Sequence, residues 1–179
     1  MDKSQLKTLV NNEDLQNRIK ELAEEINNYY ERKYSLNEEL TIVCVLKGAV
    51  MFFTELSKYL KMPVRMEFVS LSSYGCSEKS SGKVSALNLS LPPLENKNVL
   101  VVEDIMDTGL TLKFLLDFLN TKCKAKDVKL AVMCDKKCAR KYDISPDFYA
   151  FDVDDKFIVG FGLDYNEIYR NIPYIGYFE

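Results

Sequence analysis

An α/β fold with a mainly parallel, twisted sheet flanked by helices is predicted by three features of this sequence. The apolar runs at Leu40–Leu46 and 99–102 are continuous rather than alternating, as in strands covered on both faces. Leu15, Ile19, Leu22 and Ile26 recur at helical spacing. Strand-like and helix-like segments then alternate along the chain, which is the pattern of a parallel sheet. A length of 179 residues suits one domain with one core, taken as residues 1–179.

In chain order, a helix is predicted over residues 13–33, with Asn12 as N-cap and Glu13 and Asp14 favourable in its first turn. The strand at 40–46 stops at Lys47-Gly48, and 50–60 reads as a helix ending before Pro63. Residues 64–69 read as the next strand. Residues 70–83 are rich in serine and glycine and predict a mobile loop. Residues 84–91 form a flanking strand, stopped by Pro92-Pro93. A buried strand at 98–102, a helix at 111–119 and a strand at 128–134 follow. Shorter strands are read at 148–153 and 157–159, before a tyrosine-rich tail.

Composition narrows the function. Apolar residues at 47% supply enough surface to bury, which excludes global disorder. A net charge of -3 gives no broad cationic field, so nucleic acid is not expected as a partner. No apolar stretch reaches membrane-spanning length, and the first residues lack a signal-peptide layout, so a cytoplasmic protein is expected. The five cysteines are odd in number and lack zinc-finger spacing, which suits free thiols in a reducing compartment. Histidine is absent, so a general base must be a carboxylate, lysine, tyrosine or cysteine.

In parallel sheets ligands sit beyond the carboxyl ends of the strands. Glu103, Asp104 and Asp107 lie close after residues 99–102, in what reads as a turn leading to a helix. Adjacent acids repel unless a cation or sugar hydroxyls engage them. Thr108, Gly109, Leu110 and Thr111 open the helix, where backbone N–H groups and hydroxyls suit a phosphate. Acids for a diol or metal beside a cradle for phosphate match a ribose 5-phosphate. There is no Walker A pattern.

Residues 99–111 resemble the phosphoribosyl pyrophosphate signature of phosphoribosyltransferases. Leu46-Lys47-Gly48, Ser73-Tyr74, Asp135-Lys136, the run from Asp155 to Gly160, Leu163-Asp164-Tyr165, Tyr169-Arg170-Asn171 and Pro173-Tyr174-Ile175-Gly176 are similar, in the same order, to the hypoxanthine-guanine members. Ala49 stands where many members carry a second glycine. The resemblance implies transfer of ribose 5-phosphate to a 6-oxopurine, with Mg2+ as cofactor, a small hood built from terminal segments, and a homodimer or homotetramer.

The resemblance also implies roles. Asp107 is the proton acceptor near purine N7, and residues from Asp107 to Thr111 hold the 5-phosphate. Glu103 and Asp104 meet the ribose hydroxyls or their metal, and Asp164 is a further magnesium ligand. Lys47, Gly48 and Arg170 contact pyrophosphate, and the Lys47–Gly48 bond is often a cis peptide in the family. Ile105, Lys136, Lys156, Phe157 and Ile158 form the purine site, with Lys136 at O6, Phe157 stacked on the base and the backbone of Lys156 and Ile158 at its edge. Ser73 and Tyr74 belong to a lid at 70–83. Without the resemblance, Lys136 is a solvated charge and Phe157 a core residue. A non-catalytic ligand sensor of the same fold, or a transferase for another base, are the alternative functions.

Overall fold

In a computed structural model, residues 6–35, 37–73, 84–88 and 90–178 are described. Residues 70–73 of the expected loop, Ser73 included, continue a strand instead, and Tyr74 with the rest of the expected lid up to residue 83 lies outside these residues.

The main sheet has the order β4-β3-β2-β5-β6-β7. Its strands are β2 (Leu40–Leu46), β3 (Val64–Ser73), β4 (Val84–Asn88), β5 (Asn98–Met106), β6 (Asp127–Asp135) and β7 (Phe148–Asp152). All neighbours pair in parallel except β4, which runs antiparallel along β3. Three α-helices accompany it among the described residues: α1 (Asn12–Lys33), α2 (Val50–Ser57) and α3 (Leu110–Thr121).

The continuous apolar runs arise because each central strand feeds two cores. Leu100 and Val102 of β5 join Leu40, Ile42 and Cys44 of β2 under α1 and α2. Val99 and Val101 join Val43 and Val45 under α3, through Leu112, Leu115 and Leu119. Side chains alternate across a strand, so both parities must be apolar when both faces are covered. Each fully buried aliphatic side chain contributes about 1.5–3 kcal/mol from burial.

Several boundaries differ from the sequence expectation. The N-cap of α1 is Asn11, not Asn12; its Oδ1 accepts the Asp14 N–H at 2.9 Å. Helix α2 ends at Ser57, and residues 58–60 tighten into backbone bonds three residues back. β5 continues to Met106, so Glu103 and Asp104 lie within a strand rather than in a turn. Pairing with β6 holds them there, with Glu103 opposite Val132 and Met106 opposite Asp135.

A second sheet has the order β1-β9-β8, from β1 (Leu6–Val10), β8 (Ile158–Val159) and β9 (Ile175–Phe178), all antiparallel. It joins both ends of the described chain to the segment after β7. This is the expected hood, although neither β1 nor β9 is read as a strand from sequence.

Candidate active site

Strands β2, β5 and β6 run parallel, so their carboxyl ends meet at one edge of the sheet. Two cavities lie there. One, of about 230 Å³, is lined by Val45, Leu46, Leu71, Glu103, Ile105, Asp107, Gly109, Thr111 and Leu112. The other, of about 250 Å³, is lined by Asp104, Ile105, Asp107, Lys136, Lys156, Phe157, Ile158, Leu163 and Asp164. Ile105 and Asp107 line both.

The first cavity borders the start of α3. Gly109 takes a left-handed φ of 85°, which a side chain would resist. A Cβ there would also come within 3.2 Å of Arg140 Cδ and Ile144 Cγ1. The turn Asp107-Thr108-Gly109 delivers the first-turn N–H groups and positive dipole end of α3 to the cavity edge. Asp107 is exposed, and its Oδ1 accepts the Thr108 N–H.

The acid pair lies deeper. Asp104 is buried, and its Oδ1 accepts the Ile105 N–H at 2.7 Å. Glu103 Oε2 is sealed from solvent with no hydrogen-bond partner. Burial, then the charge of Asp104, pushes the Glu103 carboxyl well above the usual range. Burial also raises Asp104, opposed by its hydrogen bonds and by Arg170.

Backbone approaches fix the loop after β2. The cis peptide is Leu46–Lys47, one bond earlier than expected from the family. Gly48 lies so close to Asp104 that a Cβ would overlap its carboxylate. Gly162, at φ 102°, sits equally close to the Gly48 carbonyl oxygen. Any side chain at either glycine would force apart the layers carrying Lys47, Asp104 and Asp164.

In the second cavity, Lys136 is a partly buried group rather than a solvated charge. Its Nζ meets Asp155 Oδ1 at 2.8 Å and the Lys156 carbonyl at 3.2 Å. Phe157 is not core; it is 50% exposed on the cavity wall, edge-on to Tyr165 at 5.6 Å. The Lys156 ammonium lies over the Tyr177 ring of the hood, 4.3 Å from its centre, which ties hood and cavity together.

A third group of residues closes the edge. Arg170 Nη2 pairs with Asp164 Oδ1 at 2.8 Å, and its Nη1 donates to the Gly162 carbonyl at 2.7 Å. Lys47 Nζ meets Glu167 Oε2 at 2.8 Å. Asp164 is thus drawn toward Arg170. Among the described residues no three acidic or thiol groups converge as a protein-only metal cage.

Sequence reasoning missed Arg140 and Glu167 as members of the site, and gave Asp135 no role of its own within the Asp135-Lys136 match. Arg140 lies against the turn Asp107-Thr108-Gly109, paired with buried Asp135. Only their distance from the signature hid them; no local pattern marks such contacts.

The sheet thus carries, at its carboxyl edge, a helix-opening turn on one side of Asp107 and an aromatic-walled slot on the other. The chain belongs to the phosphoribosyl transferase domain family, whose model matches residues 5–166. It is 41% identical over 170 residues to a hypoxanthine-guanine phosphoribosyltransferase of Bacillus subtilis, covering 95% of this chain and 91% of that protein. It is 45% identical over 168 residues to the protein of the same name from Aquifex aeolicus, covering 94% and 92%. A solved hypoxanthine phosphoribosyltransferase from Staphylococcus aureus superposes with a TM-score of 0.90 at 36% identity, covering 98% of this chain and 93% of that one.

Proposed function

We propose that this chain is a purine salvage enzyme, transferring ribose 5-phosphate from 5-phosphoribosyl 1-pyrophosphate to hypoxanthine or guanine with release of pyrophosphate. The observation that carries this reading is the position of Asp107, which lines both cavities. A group there reaches the sugar phosphate on one side and the base on the other. The relatives named for this activity, similar over nearly the whole chain, support it.

In the reaction, purine N9 bonds to ribose C1 as the bond from C1 to the pyrophosphate oxygen breaks. The purine loses a proton, and Asp107 accepts it at N7; no histidine competes for the task. The turn from Thr108 to Thr111 holds the 5-phosphate. Lys136 donates to O6 and Phe157 stacks on the ring. The Lys156 and Ile158 backbone meets the base edge, while Ile105 lies between the cavities. Lys47, Gly48 and Arg170 hold the leaving pyrophosphate.

The donor set fits magnesium. Glu103 has an unpartnered buried oxygen, and Asp104 lies beside it under Gly48. Glu103 and Asp104 would serve a ribose-side ion and Asp164 a second one. One or two carboxylates per ion suffice for Mg2+, which keeps waters and takes oxygens from a substrate. When bound, the ion neutralises the anionic leaving group.

No helix among the described residues is long and apolar enough to cross a membrane. We read the compartment as the cytoplasm, where the free thiols Cys44, Cys123, Cys134 and Cys138 stay reduced. A homodimer or homotetramer is the assembly we expect.

The test is a spectrophotometric assay with phosphoribosyl pyrophosphate, magnesium, and hypoxanthine, guanine, xanthine or adenine in turn. Turnover with hypoxanthine or guanine, abolished by excess chelator, is expected. No transfer to any 6-oxopurine overturns the reading.

A further inference from the structure

Glu167 is an acid standing where the functional reading calls for an anion of another kind. Its Oε2 meets Lys47 Nζ at 2.8 Å, and its Oε1 lies 3.5 Å from Arg170 Nη2. One carboxylate therefore spans the two cations assigned to pyrophosphate. Its backbone N–H donates to Asp164 Oδ2 at 2.8 Å, which ties this turn to Asp164.

The backbone makes the choice of residue informative. Tyr165 and Ile168 exchange two backbone hydrogen bonds of 3.1 Å, closing a two-residue turn. Its central residues, Asn166 and Glu167, have φ of 50° and 67°. Turns with positive φ at both central positions favour Asn-Gly. The glycine place holds a glutamate, which takes this conformation at a cost. Stability gives no return, because Lys47 and Glu167 are 68% and 63% exposed and such pairs contribute little. A strained residue without a structural return points to function.

We propose that Glu167 is a displaceable stand-in for pyrophosphate: its carboxylate holds Lys47 and Arg170 until the substrate's pyrophosphate group takes its place. This rests on the pyrophosphate contacts assigned above to Lys47 and Arg170. It makes Glu167 a determinant of affinity for the leaving group. Competition from the carboxylate weakens pyrophosphate binding and speeds its release, while keeping the two cations preset at the mouth of the site.

The test is calorimetric titration of the whole chain with pyrophosphate and magnesium at low salt, for wild type, Glu167→Gln, Glu167→Gly and Lys47→Ala. Glycine suits the turn, so the second variant keeps the fold if amide substitution disturbs it. Pyrophosphate should bind about two- to fivefold more tightly to both Glu167 variants, the scale of an exposed ion pair. Affinity for IMP should not move. Equal or weaker pyrophosphate binding in both overturns the stand-in. Failure of the functional reading looks different: wild type makes no IMP, or Lys47→Ala binds pyrophosphate as well as wild type does.

Discussion

The Arg140 guanidinium donates its Nε–H to the main-chain carbonyl of Asp107 at 3.0 Å. Its Nη1 donates to the Ile144 carbonyl at 2.6 Å, and its Nη2 pairs with the carboxylate of Asp135. Asp135 ends β6 immediately before Lys136. One planar fork thus joins the turn that opens α3 to the strand end that precedes Lys136.

Removing that fork should damage both fold and site. Arg140→Ala strands the buried Asp135 carboxylate, whose side chain is 3% exposed. Breaking a buried pair on one side costs about 3–5 kcal/mol. Arg140→Lys restores charge but cannot bond in three directions with the same geometry. It should recover most of the stability while leaving KM for phosphoribosyl pyrophosphate raised. Urea unfolding and steady-state kinetics measure the two effects. A loss under about 1 kcal/mol in Arg140→Ala would show that the pair carries no such weight.

Asp107→Asn tests the proton acceptor. The amide keeps the shape of the side chain and can still accept the Thr108 N–H through its oxygen. It lacks the basicity, so kcat should fall by about 10²–10⁴-fold, the usual scale for acid–base catalysis. Pyrophosphate binding by calorimetry should be unchanged. Near-normal turnover would assign the proton to another group.

How much of this was legible in the sequence follows from how local each signal is. The run Leu40–Leu46 gave its strand at the correct bounds, because Leu40, Ile42 and Cys44 face one core and Val43 and Val45 the other. The β1–β9 pairing joins Leu6 to Phe178, and no local pattern specifies a partner so far away. Acids disfavour strands, so the sequence alone puts Glu103 and Asp104 in a turn. Pairing with β6 overrides that preference. The signature singles out Asp107 and Gly109, and both line the first cavity. Glu167 and Arg140 were invisible, since their roles depend on loops that meet only in the folded chain.

The acid pair predicts a pH effect on stability. Burial and Asp104 raise the Glu103 carboxyl well above its ordinary value of 4.5. A group raised on folding contributes stability that is full below its unfolded pKa and lost as pH rises through the folded one. In chelator, wild-type Tm should therefore lose ground to Glu103→Gln as pH climbs from about 5 to about 8. The difference between the two proteins is the measurement, since titrations away from the pair cancel in it, while Asp104 titrates together with Glu103. Parallel Tm profiles would mean that Glu103 ionises in the folded protein as it does unfolded.

Lys136 should set the preference for 6-oxo over 6-amino purines. An ammonium has three donors and no acceptor. Asp155 Oδ1 and the Lys156 carbonyl engage Nζ at 2.8 and 3.2 Å, which fixes the head group in the cavity and leaves donor capacity for a carbonyl O6. Adenine would present its amino group to this cation, donor against donor. A buried donor left unpaired costs about 1–3 kcal/mol, and more when charged. Rejection of adenine thus comes from mismatch as well as from a good contact to the right base. Lys136→Ala should lower kcat/KM for hypoxanthine and guanine while pyrophosphate binding holds, and the ratio of hypoxanthine to adenine should narrow about 10-fold or more, as that penalty implies. Asp155→Asn removes the charged partner but keeps Lys136, so it should preserve the ratio. If the ratio stays fixed in Lys136→Ala, the discrimination belongs to the backbone at Lys156 and Ile158 instead.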